Sequence, residues 1–551
     1  MSMNTNDCSK LNIRRIPKHI WLLLLIVCIG VFLRTYHFHD WLEFKGDQAR
    51  DASLVQDVVA GNAEWPLTGP FMSNSAANKD ETFHIGPLYY YFQIVSAQVF
   101  GNIPESLAYP DVLFSILSLP LFYLFFRKYL DQKLSLGVTF LYVVSFFFVM
   151  HSRFAWNSNL IPCFTLLFLL SLFEFESGGI AVGWLWAVLL GIALGVGVQL
   201  HAITMIIFSA VTVLSIGRSI FRKQSIPWKK WAVVFAVALL LNTGQIIGET
   251  QTGFSNAKIF LGYFTNTHHD TSASNQPWSD AHASLVNDID CHLEANLYLF
   301  TSLGQDHCVY SFDALLSGTR RNAMKILFET PLFFGALFSI FGFAMLVIRC
   351  ASEKDERKRI WLRMIAWYIA VSFLIMFPVV KGSLELRYFN FAFFLPFLFL
   401  GLLAEHVMSQ KNTWLLYTVL LAFPAIAMIN ILSLSSVYDE LVQKGRIYSR
   451  SVVLDEIEPI ATYVVAHADG HTTISLSGNS KILDYAFHPL VYLVAQSGKE
   501  LIRVGASKVD DVARSGQKVF FVSTTPPDPA DAPEYGAVGE KIYVYEVRTN
   551  Q

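Results

Sequence analysis

Phe44-Lys45-Gly46-Asp47-Gln48-Ala49-Arg50-Asp51-Ala52 is the stretch of this chain whose residue types and spacing point most directly to chemistry. Leu54, Val55, Val58 and Val59 continue it in a helical pattern, and Gly61-Asn62 ends it. On such a helix Asp47, Arg50 and Asp51 stand at i, i+3 and i+4 and share one face. A carboxylate placed there can take the proton of an attacking hydroxyl. A guanidinium beside it can hold a phosphate through forked hydrogen bonds. The same spacing also describes a solvated, salt-bridged helix face, and spacing alone leaves both readings open.

Three more polar stretches carry candidates. Asp80-Glu81-Thr82-Phe83-His84-Ile85-Gly86-Pro87-Leu88-Tyr89-Tyr90-Tyr91 combines two acids, a histidine and a tyrosine run. His151-Ser152-Arg153-Phe154-Ala155-Trp156-Asn157 offers Arg153, either a phosphate ligand or an interfacial anchor. Lys381-Gly382-Ser383-Leu384-Glu385-Leu386-Arg387-Tyr388 offers Lys381, Arg387 and Tyr388; Arg387 either binds phosphate or snorkels from a helix end. His201, between two apolar runs, is a site residue or a helix cap.

The elements that must hold these residues are set by composition. Of 551 residues 53% are hydrophobic and only 15% charged, against about 25% in soluble domains. Mean hydropathy is +0.42. A bilayer is the solvent for such a chain. The net charge of −2 offers no electrostatic footing for nucleic acid. Runs long enough to span, about 20 residues each, lie at roughly 19–37, 108–126, 134–150, 160–175, 180–200, 202–217, 231–248, 329–348, 360–380, 388–408 and 414–434. The first has a basic stretch before it and no small-residue cleavage site after it, so it reads as a membrane helix and not a signal peptide. Gly191, Gly195 and Gly197 suit close helix packing.

The basic connectors are Arg127-Lys128 with Lys133, Arg218 to Lys230, Arg349 to Arg363, and Lys411. They all fall on the cytoplasmic side only if the short apolar run Pro87–Phe100 does not cross. That run is therefore expected to lie at the interface, its tyrosines at headgroup level. The result is an all-α polytopic protein of about eleven spans, N-terminus cytoplasmic. Its membrane part covers 1–434, with a first outer loop at about 38–107 and a large outer loop at about 249–328. Residues 435–551 alternate strand-like runs, such as Lys518–Val522 and Lys541–Tyr545, with helical ones, and predict a small α/β domain on the outer side. Nearly all distinctive polar residues then face outward.

The large outer loop holds His268, His269, Asp270, His282, Asp288, Asp290, His292, Asp306 and His307, a set without metal-ligand spacing. No metal site is expected there. Cys291 and Cys308 share that loop on an oxidising face, and a disulfide between them would contribute roughly 3 kcal/mol.

Asp47-Gln48-Ala49-Arg50, followed by His84-Ile85-Gly86-Pro87-Leu88-Tyr89, resembles the membrane glycosyltransferases of the GT-C type, nearest to the protein O-mannosyltransferase and aminoarabinose (lipid A) transferase group. That group carries Asp-Glu-Ala-Arg and then Lys/His-Pro-Pro-Leu-Tyr. The resemblance extends in topology over about the first 430 residues. Gln48 departs from the pattern by replacing the second acid, and Ile85-Gly86 interrupts the proline pair. The resemblance implies transfer of a sugar from a polyprenyl-phosphate donor to a hydroxyl on the outer face, with inversion. It implies Asp47 as base and Arg50 as donor-phosphate ligand, with Arg387 and Arg153 as further phosphate ligands. Asp51, Asp80, Glu81, His84, Tyr89, His201, Lys381 and Tyr388 are the other candidate site residues. It requires no cofactor, although a divalent metal is compatible with it. The acceptor would be a glycolipid, polysaccharide or protein, and the setting a bacterial inner membrane with the C-terminal domain periplasmic.

Two other classes are weighed. A transporter or flippase for a lipid-linked sugar would show mid-span ionisable groups and two related halves, whereas few mid-span charges and no such symmetry are seen. A sugar-polymer ligase or polymerase would place its key residues in later loops.

Overall fold

The structure, a computed structural model, describes residues 17–70, 83–265, 277–303, 331–379, 386–410, 413–442 and 453–547, less short gaps at 179–180, 182, 469, 471, 479, 515–517, 524–534 and 539–541. The helical part runs α1 (Lys18–Thr35), α2 (Gly46–Val59), α3 (Leu88–Phe100), α4 (Pro104–Phe126), α5 (Gln132–Val144), α6 (Phe146–His151), α7 (Ile161–Gly178), α8 (Trp184–Leu200), α9 (Ala202–Phe221), α10 (Trp228–Leu241), α11 (Thr243–Gln251), α12 (Ser255–Thr265), α13 (Pro277–Thr301), α14 (Pro331–Ser352), α15 (Glu356–Val379), α16 (Leu395–Ser409) and α17 (Thr413–Val442). Short 3₁₀ turns, Asn157–Leu160 and Leu386–Ala392, precede α7 and α16.

Eight of these helices are long and apolar enough to cross a membrane, and α10 with α11, bent by 61° where they meet, make a ninth if taken together. Two further apolar helices, α5 and α8, have only 13 and 17 residues. All eleven apolar runs of the sequence thus fall on helices. Helix α3, 13 residues long, measures only about 20 Å, short of the roughly 30 Å hydrocarbon layer. Trp21, Leu25, Trp414 and Leu421 lie exposed on α1 and α17, and a bilayer removes that apolar surface from water.

The helices pack because their contact surfaces are either small or aromatic. A Cβ on Gly191 would meet the Val234 carbonyl oxygen at 2.8 Å, and one on Gly195 would meet the Ala238 Cα at 2.9 Å, so α8 and α10 touch backbone to backbone. Phe122 stacks on Tyr142, with ring centroids 4.3 Å apart, and meets Phe397 edge-on. The break between α5 and α6 at Ser145 frees backbone groups in the interior. Asn430 of α17 accepts from the Phe146 N–H (2.8 Å), and the Ser145 hydroxyl donates to the Leu299 carbonyl (2.7 Å).

The sequence reading placed 249–328 in a large polar loop. Within it, α12 and α13 are helices, and the second half of α13 is core. Cys291, Ala295, Leu297, Tyr298 and Phe300 are buried there, packed with α14. Polar residues on the first turns of α13 hid an apolar face that tertiary packing uses. His292 lies among Phe343, Phe373 and Phe389, 3.1 Å from the Asn296 amide nitrogen. Asp290 is buried as well. Among the described residues no three potential metal ligands cluster. Cys291 is disulfide-bonded, and Cys308 lies outside the described residues.

The two ends of the bundle differ. At one end the basic connectors find acids: Lys128 and Arg357 with Glu174, Arg218 with Glu176, and Arg349 with Glu405. At the other end lie α2, α3, the 152–157 turn, His201 and Tyr388. The C-terminal segment, α18 (Leu454–Ala466), β1 (Thr473–Gly478), α19 (Ser480–Ala495), β2 (Glu500–Arg503), α20 (Val509–Arg514), β3 (Val519–Ser523), β4 (Tyr535–Val538) and β5 (Ile542–Glu546), joins that second end. Its sheet has the order β2-β1-β3-β5-β4; β1 runs parallel to β2 and β3, and β5 antiparallel to β3 and β4. Leu454 donates to the Leu42 carbonyl at 2.9 Å. One apolar cluster contains Ala49, Ala52 and Val55 of α2 together with Leu454, Leu490, Tyr492 and Phe520. The sheet domain and α2 therefore share a core.

Candidate active site

Helix α2 forms where the sequence pattern placed it and buries Gln48, Ala49, Asp51, Ala52, Val55 and Val58. Gln48, which stands where the resembling group has its second acid, is buried. Its carbonyl accepts from the Lys45 N–H (3.1 Å), which caps the helix start, and its amide donates to Ala155 O (3.0 Å). It fastens α2 to the 152–157 turn.

The three charged residues come together as their spacing predicts. Arg50 Nε and Nη2 both donate to Asp51 Oδ1, at 2.9 and 2.8 Å, and Nη1 reaches Asp47 Oδ1 at 3.1 Å. The two acids differ sharply in exposure: the Asp47 side chain is 71% exposed and that of Asp51 8%. Burial pushes Asp51 up to about 6, against the opposing pull of the Arg50 charge and of the hydrogen bonds from Arg50 and Tyr90. The site thus presents an open carboxylate beside a half-buried cation held from below by a second carboxylate.

Helix α3 supplies the support. Expected at headgroup level, Tyr89 and Tyr90 are instead buried, because each hydroxyl finds an acid inside. Tyr90 donates to Asp51 Oδ1 (3.0 Å), and Tyr89 to Asp111 Oδ2 (2.9 Å). Tyr91 donates to the Pro66 carbonyl (2.8 Å). Asp111 also accepts from the Trp156 N–H (3.0 Å). No motif marks Asp111 in the sequence, although an acid inside the apolar run 108–126 is a signal in itself. Arg34 is a second such case. It is buried near the end of α1, and its Nε donates to the Ser115 hydroxyl (2.7 Å).

The segment before α3 is equally tied down. His84 Nδ1 lies 3.0 Å from the Gly69 carbonyl, and its backbone pairs with the Asn256 amide in both directions, at 2.7 and 2.9 Å. Gly86 passes against Gln199, where a Cβ would overlap the carboxamide. Gln199 in turn accepts from the Leu88 N–H (3.3 Å) and donates to the carbonyls of Gly195 and Leu241 (3.0 Å each). The glycine that interrupts the proline pair is thus required by its neighbour.

Arg153 is engaged with backbone. It is buried, and it donates to the carbonyls of Leu33 (3.2 Å), Tyr36 (2.6 Å) and His37 (3.1 Å) at the end of α1. These bonds are those of an anchor between α1 and the 152–157 turn. His201 caps α9, its Nδ1 accepting from the Ile203 N–H (3.2 Å), and its ring meets Tyr388 edge-on at 5.7 Å. One small cleft is lined by Ser158, His201, Thr204 and Tyr388, and another by Ser115, Tyr142, His151, Asn159 and Asn390. Asp80, Glu81 and Lys381 lie outside the described residues, as does the side chain of Arg387.

A helical bundle with α2 and α3 on its polar end, an acid–arginine pair there and a small sheet domain joined to it has the architecture of the GT-C fold. Comparison with known proteins agrees. ArnT from Cupriavidus metallidurans, solved bound to undecaprenyl phosphate, superposes with a TM-score of 0.52 at 12% identity, covering 97% of this chain and 99% of that one. The Archaeoglobus fulgidus oligosaccharyltransferase, solved with zinc and sulfate, aligns at 14% identity over 91% of this chain and 68% of its own, with a TM-score of 0.49. Residues 84–242 match the family described as dolichyl-phosphate-mannose-protein mannosyltransferase. No curated protein sequence matches. The chain is thus a multi-pass membrane protein with the GT-C fold.

Proposed function

We propose that this protein transfers a sugar from a polyprenyl-phosphate donor to a hydroxyl acceptor at the end of the bundle that carries α2, which we take as the outer face of a bacterial inner membrane. The observation that supports this most is the exposed Asp47 carboxylate, joined to Arg50 at 3.1 Å. Asp47 takes the proton from the acceptor hydroxyl as its oxygen attacks the anomeric carbon. The bond from that carbon to the phosphate oxygen breaks, and the polyprenyl phosphate leaves with the electron pair. Attack opposite to departure inverts the anomeric centre. Arg50 meets the phosphate charge as it develops, and Arg387 is a second ligand for the same group. Neither step needs a metal. The polyprenyl chain lies along the apolar helix surfaces, and the acceptor is a glycolipid, a polysaccharide or a protein.

The test is transfer by purified protein from radiolabelled polyprenyl-phosphate sugars to a membrane-lipid extract, wild type beside Asp47→Asn. The amide keeps the size of the side chain and removes its basicity. A loss of about 100-fold or more is expected, within the range of general-base catalysis. Equal transfer by both proteins would remove Asp47 from the mechanism.

A further inference from the structure

Asp51 presents a puzzle that its packing does not explain. Burial opposes the ionisation of this carboxyl and raises it to about 6, yet three donors converge on one of its oxygens: Arg50 Nε, Arg50 Nη2 and the Tyr90 hydroxyl, all within 3.0 Å. A neutral amide of the same shape would fill the space without the cost of a buried charge. A charge is retained there to hold another charge.

We propose that Asp51 and Tyr90 are a positioning pair, which fixes the guanidinium of Arg50 for the phosphate of the donor while leaving Asp47 free to act on the acceptor. This rests on the reading of Arg50 as the phosphate ligand. The geometry supports the division of labour. The edge of the guanidinium that carries Nε and Nη2 is gripped by Asp51, which fixes its plane; the Nη1 end is thereby turned toward Asp47. An exposed ion pair holds geometry poorly, because solvent screens it and both side chains remain mobile. Asp51 avoids this by being buried, and Tyr90 fixes its rotamer from a different helix. Tyr90 is itself held, since α3 is anchored at the adjacent residue by the Tyr89–Asp111 hydrogen bond. Two consecutive tyrosines on one rigid helix therefore set the distance between the phosphate ligand and the base. Preorganisation of this kind acts on binding of the donor more than on the proton transfer.

The experiment separates these roles. Binding of polyprenyl phosphate, without a sugar, is measured on full-length wild type and on Arg50→Ala, Asp51→Asn, Tyr90→Phe and Asp47→Asn, with kcat and donor KM for each. Expected are a weakening of binding by about tenfold or more in Asp51→Asn, which loses the charge that grips Arg50, and by roughly threefold in Tyr90→Phe, which loses only one supporting hydrogen bond. The donor KM should rise in parallel while kcat changes little. Asp47→Asn should show the reverse, near-normal binding with kcat collapsed. If Asp51→Asn or Tyr90→Phe lowers kcat and leaves binding intact, the positioning role is overturned. If Asp51→Asn does not fold, Tyr90→Phe, which deletes a single hydroxyl, decides alone. If Arg50→Ala binds as wild type does, it is the phosphate-ligand reading that fails, and the two failures are distinct.

Discussion

Replacing Arg153 with methionine should unfold the end of α1 and leave donor binding alone. The guanidinium, buried between α1 and the 152–157 turn, donates to three carbonyls, those of Leu33, Tyr36 and His37. These are carbonyls of the last helical turn and just beyond it, which have no intrahelical donor, and a cation there also opposes the negative end of the helix dipole. The rings of Phe38 and Tyr438 flank the group at 5.8 Å. Methionine keeps the apolar stem and removes every donor. Leaving buried carbonyls without their donor costs about 1–3 kcal/mol each, so a fall of several degrees in thermal unfolding in detergent is expected. Lysine keeps the charge but not the fork, and should fall between. Donor binding by the folded fraction should match wild type. A methionine variant that melts with wild type and binds polyprenyl phosphate tenfold more weakly would refute this reasoning and return Arg153 to the phosphate site.

Two further outcomes can be measured. Gly86→Ala would drive a Cβ into the Gln199 carboxamide and should destabilise by about 2–4 kcal/mol through overpacking and lost hydrogen bonds; adding Gln199→Ala should recover part of the loss in a double-mutant cycle of melting temperatures, and strict additivity would show that the two do not touch. His39 is hydrogen-bonded to Glu105 and lies 3.4 Å from Glu458 of α18. Burial alone would lower it, but the Glu105 bond and the charges of Glu105, Glu458 and Asp40 outweigh burial and raise it above 6.5. The stabilisation is therefore complete below pH 6.5 and fades as pH climbs through the raised value. Limited proteolysis of the C-terminal domain should accelerate on the alkaline side of that value in wild type, and His39→Gln should abolish the pH dependence; an unchanged pH dependence in the variant would assign it to another group.

What could be read from the chain depended on how local the cause was. The Asp47, Arg50 and Asp51 face was legible because i, i+3 and i+4 meet within a single helix. The apolar runs were legible because a bilayer selects for length and composition. Which of the two acids would be buried was not legible, since Tyr90 lies 39 residues from Asp51. The same holds for Arg153, whose carbonyl partners lie well over a hundred residues earlier in the chain. Polar residues concealed α13, because an apolar face flanked by acids and histidines reads as loop until α14 packs on it. Gln48 could be seen as a departure from a motif, but its task as a cap and tether could not.

The shared core of the sheet domain and α2 ties the C-terminal residues to the proposed site. Phe520 of β3 and Tyr492 of α19 belong to the same apolar cluster as Ala49 and Ala52, each within a turn of Arg50. The last hundred residues are thus a foundation for α2 and not a removable attachment. Variation on that sheet would be read out as a change in the aim of the guanidinium. A chimaera that exchanged the C-terminal domain would have to carry α2 along with it.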